Sequence, residues 1–210
     1  MSYKIKEIYY TIQGEGFHAG RPAVFCRFSG CNLWSGKEEH RADAVCKFCD
    51  TDFWGTDGKN GGTYTAETLT QFISSLYPQN SSSKPFVVFT GGEPALQLNV
   101  ELIVAMHHCG FEIAVETNGT LALPEGIDWI CVSPKADTTI VTTRGQELKL
   151  VFPQLENKPE SFAHLDFDHF YVQPLDSEER EQNTRLSVEF CLAHPQWKLS
   201  LQTHKYLGID

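Results

Sequence analysis

The sequence predicts an α/β fold: a mostly parallel sheet with helices packed outside it. Two observations carry this. Short apolar runs rich in β-branched and aromatic residues alternate with segments of helical period along the 210 residues. Polar and glycine-bearing motifs follow directly on those runs, where parallel α/β folds place their ligands. There is no internal repeat, low-complexity segment or linker, so one domain is expected over 1–210.

Residues 4–12 read as a strand, closed by the turn signal Gln13-Gly14-Glu15-Gly16. Ala23 to Phe28 is a second strand, and the segment holding Cys31, Cys46 and Cys49 follows its end. Asp57 to Gly62 reads as a glycine-rich loop. Thr65 is placed to cap a helix whose apolar stripe is Leu69, Phe72, Ile73 and Leu76, stopped at Tyr77-Pro78. A polar loop over Asn80 to Lys84 leads to Phe86–Thr90, apolar throughout as a strand covered on both faces requires. That strand runs into Gly91-Gly92-Glu93-Pro94. A helix is expected over about 97–109, ended by Gly110. Strands follow at Glu112–Thr117, Trp129–Val132, Glu147–Phe152 and Phe170–Gln173, with a short helical segment near 159–165. Ser177 is placed to cap a helix reaching His194, and Trp197–Gln202 is a last strand before the tail Thr203-His204-Lys205-Tyr206-Leu207-Gly208.

Composition limits the functions available. Apolar residues make up 41%, which suits a folded core. A formal net charge of -10 argues against general binding to nucleic acid or anionic membrane, because phosphate contacts need clustered Lys and Arg. The first ten residues hold no apolar signal segment, and no run approaches the roughly 20 apolar residues that span a bilayer. A cytoplasmic location is expected. In that compartment seven cysteines point to metal binding or catalysis more than to disulfides. Cys26, Cys109, Cys131 and Cys191 sit in apolar surroundings and read as buried small hydrophobes. Cys31, Cys46 and Cys49 lie in a polar loop. Fourteen residues separate the first two and two separate the last pair. Spacing alone leaves two metals open. Three thiolates hold three irons of a four-iron cluster; with His40 or His18 they would make a closed zinc site.

Three cysteines after one strand and a glycine-rich G-G-E-P after the next resemble the radical S-adenosylmethionine (SAM) superfamily, although three residues usually separate the first two cysteines there. T-I-Q-G-E-G at 11–16, R-F-S-G-C-N-L-W at 27–34, C-K-F-C-D-T at 46–51, F-T-G-G-E-P at 89–94, V-E-T-N-G-T at 115–120, S-P-K at 133–135 and T-H-K-Y-L-G at 203–208 resemble the 7-carboxy-7-deazaguanine synthase family. Some members of that family carry such an expanded cysteine loop. The resemblance implies a reduced, distorted partial (β/α) barrel with a cluster-loop insertion at about 32–45. It implies a [4Fe–4S] cluster on Cys31, Cys46 and Cys49, with SAM on the open iron. One electron would cleave SAM, and the 5′-deoxyadenosyl radical would take hydrogen from 6-carboxy-5,6,7,8-tetrahydropterin. Ring contraction with loss of ammonia would give 7-carboxy-7-deazaguanine, a precursor of queuosine.

The resemblance also distributes roles. On the SAM side it places Phe48 against adenine, Gly92 and Glu93 at the ammonium, Glu116 and Asn118, then Ser133, Pro134 and Lys135, with Gln173, Pro174, Leu175 and Asp176 at the adenosine end. On the substrate side it places Ile12, Gln13 and Gly14 on the pterin ring, Arg27 on its carboxylate, Thr90 beneath it and Asp210 closing the pocket. Thr51 matches a Mg²⁺ ligand. A homodimer and an external electron donor such as flavodoxin are implied as partners. The insert, with Trp34 and the run K-E-E-H-R, is expected to form an extra turn or short helix that meets a reductase.

Overall fold

The computed structural model describes residues 1–79 and 81–209, so the residue opening the expected polar loop, Asn80, lies outside it. Among the described residues nine strands form one sheet. They are β1 (Ser2–Ile12), β2 (Pro22–Phe28), β3 (Gly62–Thr65), β4 (Phe86–Gly91), β5 (Glu112–Thr117), β6 (Trp129–Val132), β7 (Arg144–Phe152), β8 (Asp166–Pro174) and β9 (Trp197–Leu199). Their order is β3-β1-β2-β4-β5-β6-β7-β8-β9. From β2 to β9 every neighbouring pair is parallel, and β1 runs antiparallel to both β2 and β3. The open, mostly parallel sheet of a partial barrel is therefore present.

The alternation within strands assigns the two faces. Val24, Cys26 and Phe28 of β2, Val87 and Phe89 of β4, and Ile113 and Val115 of β5 join the main core with α1 (Ala66–Leu76) and α2 (Val100–His108). Leu69 and Ile73 of α1 are fully buried there, and each such side chain stabilises by about 1.5–3 kcal/mol. Residues of opposite parity face inward. Phe25, Val88, Ala114 and Trp129 stand side by side in register and pave an apolar floor. Phe17 and His169 stack beneath Trp129 and thicken that floor. Arg27, Thr90 and Glu116 stand further along β2, β4 and β5, and Lys149 and Gln173 stand late in β7 and β8, so the inner face turns polar toward the carboxyl ends of the strands.

The seam beside β9 is spanned by the segment after β1. The Gly14 carbonyl accepts from Thr203 N (3.0 Å) and Thr203 Oγ1 (2.8 Å), and Gly16 N donates to Ser200 Oγ (2.9 Å). Gly14 has to be glycine here: a Cβ would collide with the ring of His204.

Several elements depart from expectation. Thr65 caps α1 as expected, and Thr68 completes a reciprocal capping box with it. The end of the supposed 57–62 loop instead opens β3, because Gly62–Thr65 pairs with Ser2–Ile5 at the sheet edge. The helix expected from residue 97 starts later. Glu93 caps a separate 3₁₀ turn over Pro94–Leu96, and Asn99 then caps α2 through Leu102 N (3.1 Å). α3 (Arg180–Ala193) has no side-chain cap, since Ser177 Oγ takes Glu179 N in a preceding turn. The segment near 159–165 shortens to a 3₁₀ turn over Pro159–Phe162. The last strand stops at Leu199, and the tail folds as α4 (Thr203–Leu207).

Candidate active site

The carboxyl ends of the strands surround a cavity of about 460 Å³, within the range of small-molecule sites. The convergence expected of the strand-end motifs is there. Ile12, Gln13, Gly14, Arg27, Cys46, Phe48, Cys49, Thr51, Thr90, Gly92, Glu116, Asn118, Ser133, Lys135, Gln173, Pro174, Leu175 and Asp176 all line it. Cys31, Glu93 and Pro134 do not appear in its wall, and Asp210 lies outside the described residues.

The cysteine loop folds back on itself. Val45 N and Cys46 N both donate to the Leu33 carbonyl (3.1 and 3.3 Å), and Leu33 N donates to Cys31 Sγ (3.4 Å). Within 32–45 the regular structure is a 3₁₀ turn over Glu38–His40. Arg41 is turned inward, onto the cysteine loop. Its guanidinium lies 4.0 Å from the Trp34 ring centre and donates to the carbonyls of Lys47 (3.0 Å) and Cys49 (3.1 Å). The insert thus braces the backbone that carries two of the cysteines.

Among the described residues no three His, Cys, Asp or Glu side chains gather about a single point. His40 bonds Ser35 Oγ (2.9 Å), and His18 packs against Trp129 and Phe86 at the floor. Neither histidine completes a zinc set. Thiols that each take a different iron need no common point. The hydrogen bond shared within the Cys46–Cys49 pair draws the Cys49 thiol down, against burial, and pushes the Cys46 thiol up. Burial pushes the Cys31 thiol up. Lys135 is the cation that favours charge on both Cys46 and Cys49. It donates to Ser133 O (2.9 Å) and Ser133 Oγ (2.7 Å) and lies 6.0 Å from the Phe48 ring centre.

The glycines after β4 serve a close approach, though to protein backbone. A Cβ on Gly92 would clash with the Gly30 carbonyl and stand 2.9 Å from Cys31 Cβ. Glu93 N donates to that carbonyl (2.9 Å). The Glu93 side chain is 0% exposed and accepts from Ala95 N (2.9 Å), Thr117 Oγ1 (2.7 Å) and Asn118 N (2.8 Å). Burial pushes its carboxyl up, and those bonds oppose the shift. The structure thus gives Glu93 a bracing place between β4 and β5. Asn118 Nδ2 in turn donates to Asn32 Oδ1 (3.0 Å), tying β5 to the start of the insert.

No family model matches the chain. Curated relatives do. A 7-carboxy-7-deazaguanine synthase of Caulobacter vibrioides is 61% identical over 210 residues, covering all of both chains. One of Burkholderia multivorans is 59% identical over the same span. The chain belongs to the 7-carboxy-7-deazaguanine synthase family. The crystal structure of QueE from Escherichia coli matches with a TM-score of 0.72 at 27% identity, over 96% of this chain and 94% of that one.

For a 7-carboxy-7-deazaguanine synthase the substrate end of the cavity is the informative part. Arg27 faces inward beside Thr90, as their paired register requires. All three nitrogens of its fork are engaged: Nε donates to Glu7 Oε1 (2.7 Å), one terminal nitrogen to Tyr9 OH (3.1 Å) and the other to the Gly91 carbonyl (3.4 Å). Glu116, which also lines the cavity, is paired with Lys149 Nζ at 3.0 Å. Lys149 also pairs with Glu15 (2.8 Å). Burial alone would raise the Glu15 carboxyl, yet Lys149 brings its pKa down to about 2. Lys205 of α4 bridges Asp50, next to Cys49, and Asp176, just after β8 (2.6 and 2.5 Å). Glu15 and Lys205 stood in family-like motifs without an assigned role, and Lys149 stood in none. The signal for Lys149 was Glu147-Leu148-Lys149-Leu150: in a strand covered on both faces, charges at alternate positions must face the barrel interior.

Proposed function

We propose that this protein converts 6-carboxy-5,6,7,8-tetrahydropterin to 7-carboxy-7-deazaguanine with loss of ammonia, on the way to queuosine and other 7-deazapurines. The observation that carries the reading is the meeting of Cys46, Cys49 and every strand-end motif of the family at one cavity. Cys31, Cys46 and Cys49 would hold a four-iron cluster, which with SAM would supply the radical chemistry that hydrogen abstraction from the pterin needs.

The chain's own residues bind and orient. Lys135 offsets the negative charge of the thiolates. The backbone around Gly92, with Asn118, Ser133 and Gln173 to Asp176, holds SAM, and Phe48 flanks its adenine. Ile12, Gln13 and Gly14 offer backbone groups to the pterin ring, and Arg27 takes the substrate carboxylate with the N–H that each terminal nitrogen keeps beyond its bond to Tyr9 or Gly91. Thr90 donates from the sheet floor. The apolar layer of Phe25, Val88, Ala114 and Trp129 keeps water from entering below. We also infer a Mg²⁺ at Thr51, which lines the cavity between Asp50 and Asp52 and offers the hard oxygen such an ion takes. The working form is a cytoplasmic homodimer fed by an external one-electron donor of the flavodoxin kind. No described helix is long and apolar enough to cross a membrane.

The test is anaerobic reconstitution with iron and sulfide, then turnover with SAM, reductant and the carboxytetrahydropterin. The expected result is a brown protein that forms the deazaguanine acid. A colourless zinc protein, or 5′-deoxyadenosine without the deazaguanine product, would refute the reading.

A further inference from the structure

The segment after β1 lines the cavity beyond the last paired residue of the strand, Ile12. Gln13 N donates to the Arg21 carbonyl (2.9 Å) and Gly20 N to the Gln13 carbonyl (2.8 Å), which fixes the Gln13 main chain but leaves its side chain, Gly14 and Glu15 to other anchors. One anchor is Thr203 on the Gly14 carbonyl. The other is Lys149, which rises from the inner face of β7 and is 4% exposed. Its ammonium pairs with Glu15 Oε2 at 2.8 Å and with Glu116 Oε2 of β5 at 3.0 Å. The remaining oxygen of Glu116 takes Gln13 Nε2 at 3.4 Å, and that of Glu15 takes Gln202 Nε2 at 3.0 Å. A single ammonium thus closes a circuit through Gln13, Glu116 and Glu15, all of which line the cavity.

The charges in that circuit do not cancel. A buried ammonium persists only when paired, and here it has two carboxylates, with Glu147 of the same strand nearby. The surplus negative charge lies on groups facing the cavity. The weakest bond in the circuit is the long one from Gln13 to Glu116, so Glu116 keeps acceptor capacity. An anionic acceptor suits an edge rich in N–H groups and repels a carboxylate. Arg27, from β2, supplies the opposite preference.

We propose that Lys149 is a positioning residue for the substrate. It holds Glu116 and the Gln13–Glu15 segment where they meet the N–H-bearing edge of the pterin's aminopyrimidinone, while Arg27 takes the carboxylate. This rests on the function proposed above.

The test uses reconstituted holoenzyme of the wild type, Lys149→Met, and Lys149→Met with Glu15→Gln. Lys149→Met leaves two buried carboxylates facing each other and lowers the Tm. The double variant keeps one carboxylate, restores the net charge of the circuit and recovers the Tm. Both variants should keep wild-type iron content and raise KM for the pterin by about tenfold or more, with KM for SAM within about twofold. Both should also form more 5′-deoxyadenosine per deazaguanine. Recovery of pterin KM together with Tm in the double variant would reduce Lys149 to a charge balancer and overturn the proposal. So would an unchanged pterin KM, or KM values for SAM and pterin that rise in parallel. A wild type that makes no deazaguanine would instead overturn the function on which the proposal rests.

Discussion

Gly92→Ala tests how tightly the cluster loop is seated on β4. The added methyl would clash with the Gly30 carbonyl and stand 2.9 Å from Cys31 Cβ. Carbon atoms in contact prefer about 3.5–4.0 Å, so the cysteine must retreat by about 0.6 Å or more. Both obstacles belong to backbone or to a Cβ, so no side-chain rotation relieves them. Overpacking of this kind costs about 1–3 kcal/mol. Prising the loops apart also loses the bond from Glu93 N to Gly30 O, worth about 1 kcal/mol. The combined loss of about 2–4 kcal/mol corresponds to a Tm lower by about 5–15 °C for a chain of this size. Iron bound per chain after reconstitution should fall with it, because Cys31 is the group displaced. The assay is thermal unfolding of apoprotein alongside iron and sulfide analysis. A variant with wild-type Tm and full iron content would refute the argument that Gly92 is needed for packing against Cys31.

Cys31→Ala should abolish cluster assembly, read as lost iron and lost visible absorption; normal iron content would remove Cys31 from the ligand set. Arg27→Ala should raise pterin KM by about tenfold or more while SAM cleavage survives. Equal loss of both activities would place Arg27 in a structural role through Glu7 and Tyr9. Thr51→Ala should remove the response of turnover to added Mg²⁺, and an unchanged response would leave Thr51 without a metal role. Glu15 gives a prediction in pH. Its folded pKa of about 2 lies below its ordinary 4.5, so its stabilisation is full above the ordinary value and is lost as pH falls through the folded one. The shift corresponds to about 3 kcal/mol, and Glu15→Gln should flatten the fall in urea stability between about pH 5 and pH 2. An equally steep fall in the variant would assign it to other carboxylates.

Much of this arrangement was legible in the chain because turn chemistry sits beside strand chemistry. F-V-V-F-T running into G-G-E-P, and W-I-C-V into S-P-K, mark both a buried strand and its working end. Once the order of strands is parallel, those ends must share a rim. What escaped were residues whose roles depend on partners far along the chain. Lys149 pairs across 33 and 134 positions, and Lys205 reaches Asp50 across 155. Glu93 stood in a motif, yet its oxygens are taken by Thr117 and Asn118, a choice visible only once β4 and β5 lie side by side. β3 was hidden because Gly61-Gly62 signals a turn, while the edge of β1 offers Thr63 to Thr65 a partner. The tail looked like loop because its helix is short and rests on Gly14 and two acidic groups more than on an apolar face.

The brace formed by Arg41 bears on how such chains diverge. Its guanidinium, seated on Trp34, holds the carbonyls of Lys47 and Cys49, so the fourteen residues between the first two cysteines form part of the scaffold that presents the second pair. Shortening this spacer to three residues in one deletion would remove the support together with the length. An evolutionary route between long and short spacers therefore has to pass through a chain that first acquires a substitute donor for those two carbonyls. A chimera carrying a relative's shorter loop should need that substitute before it holds iron.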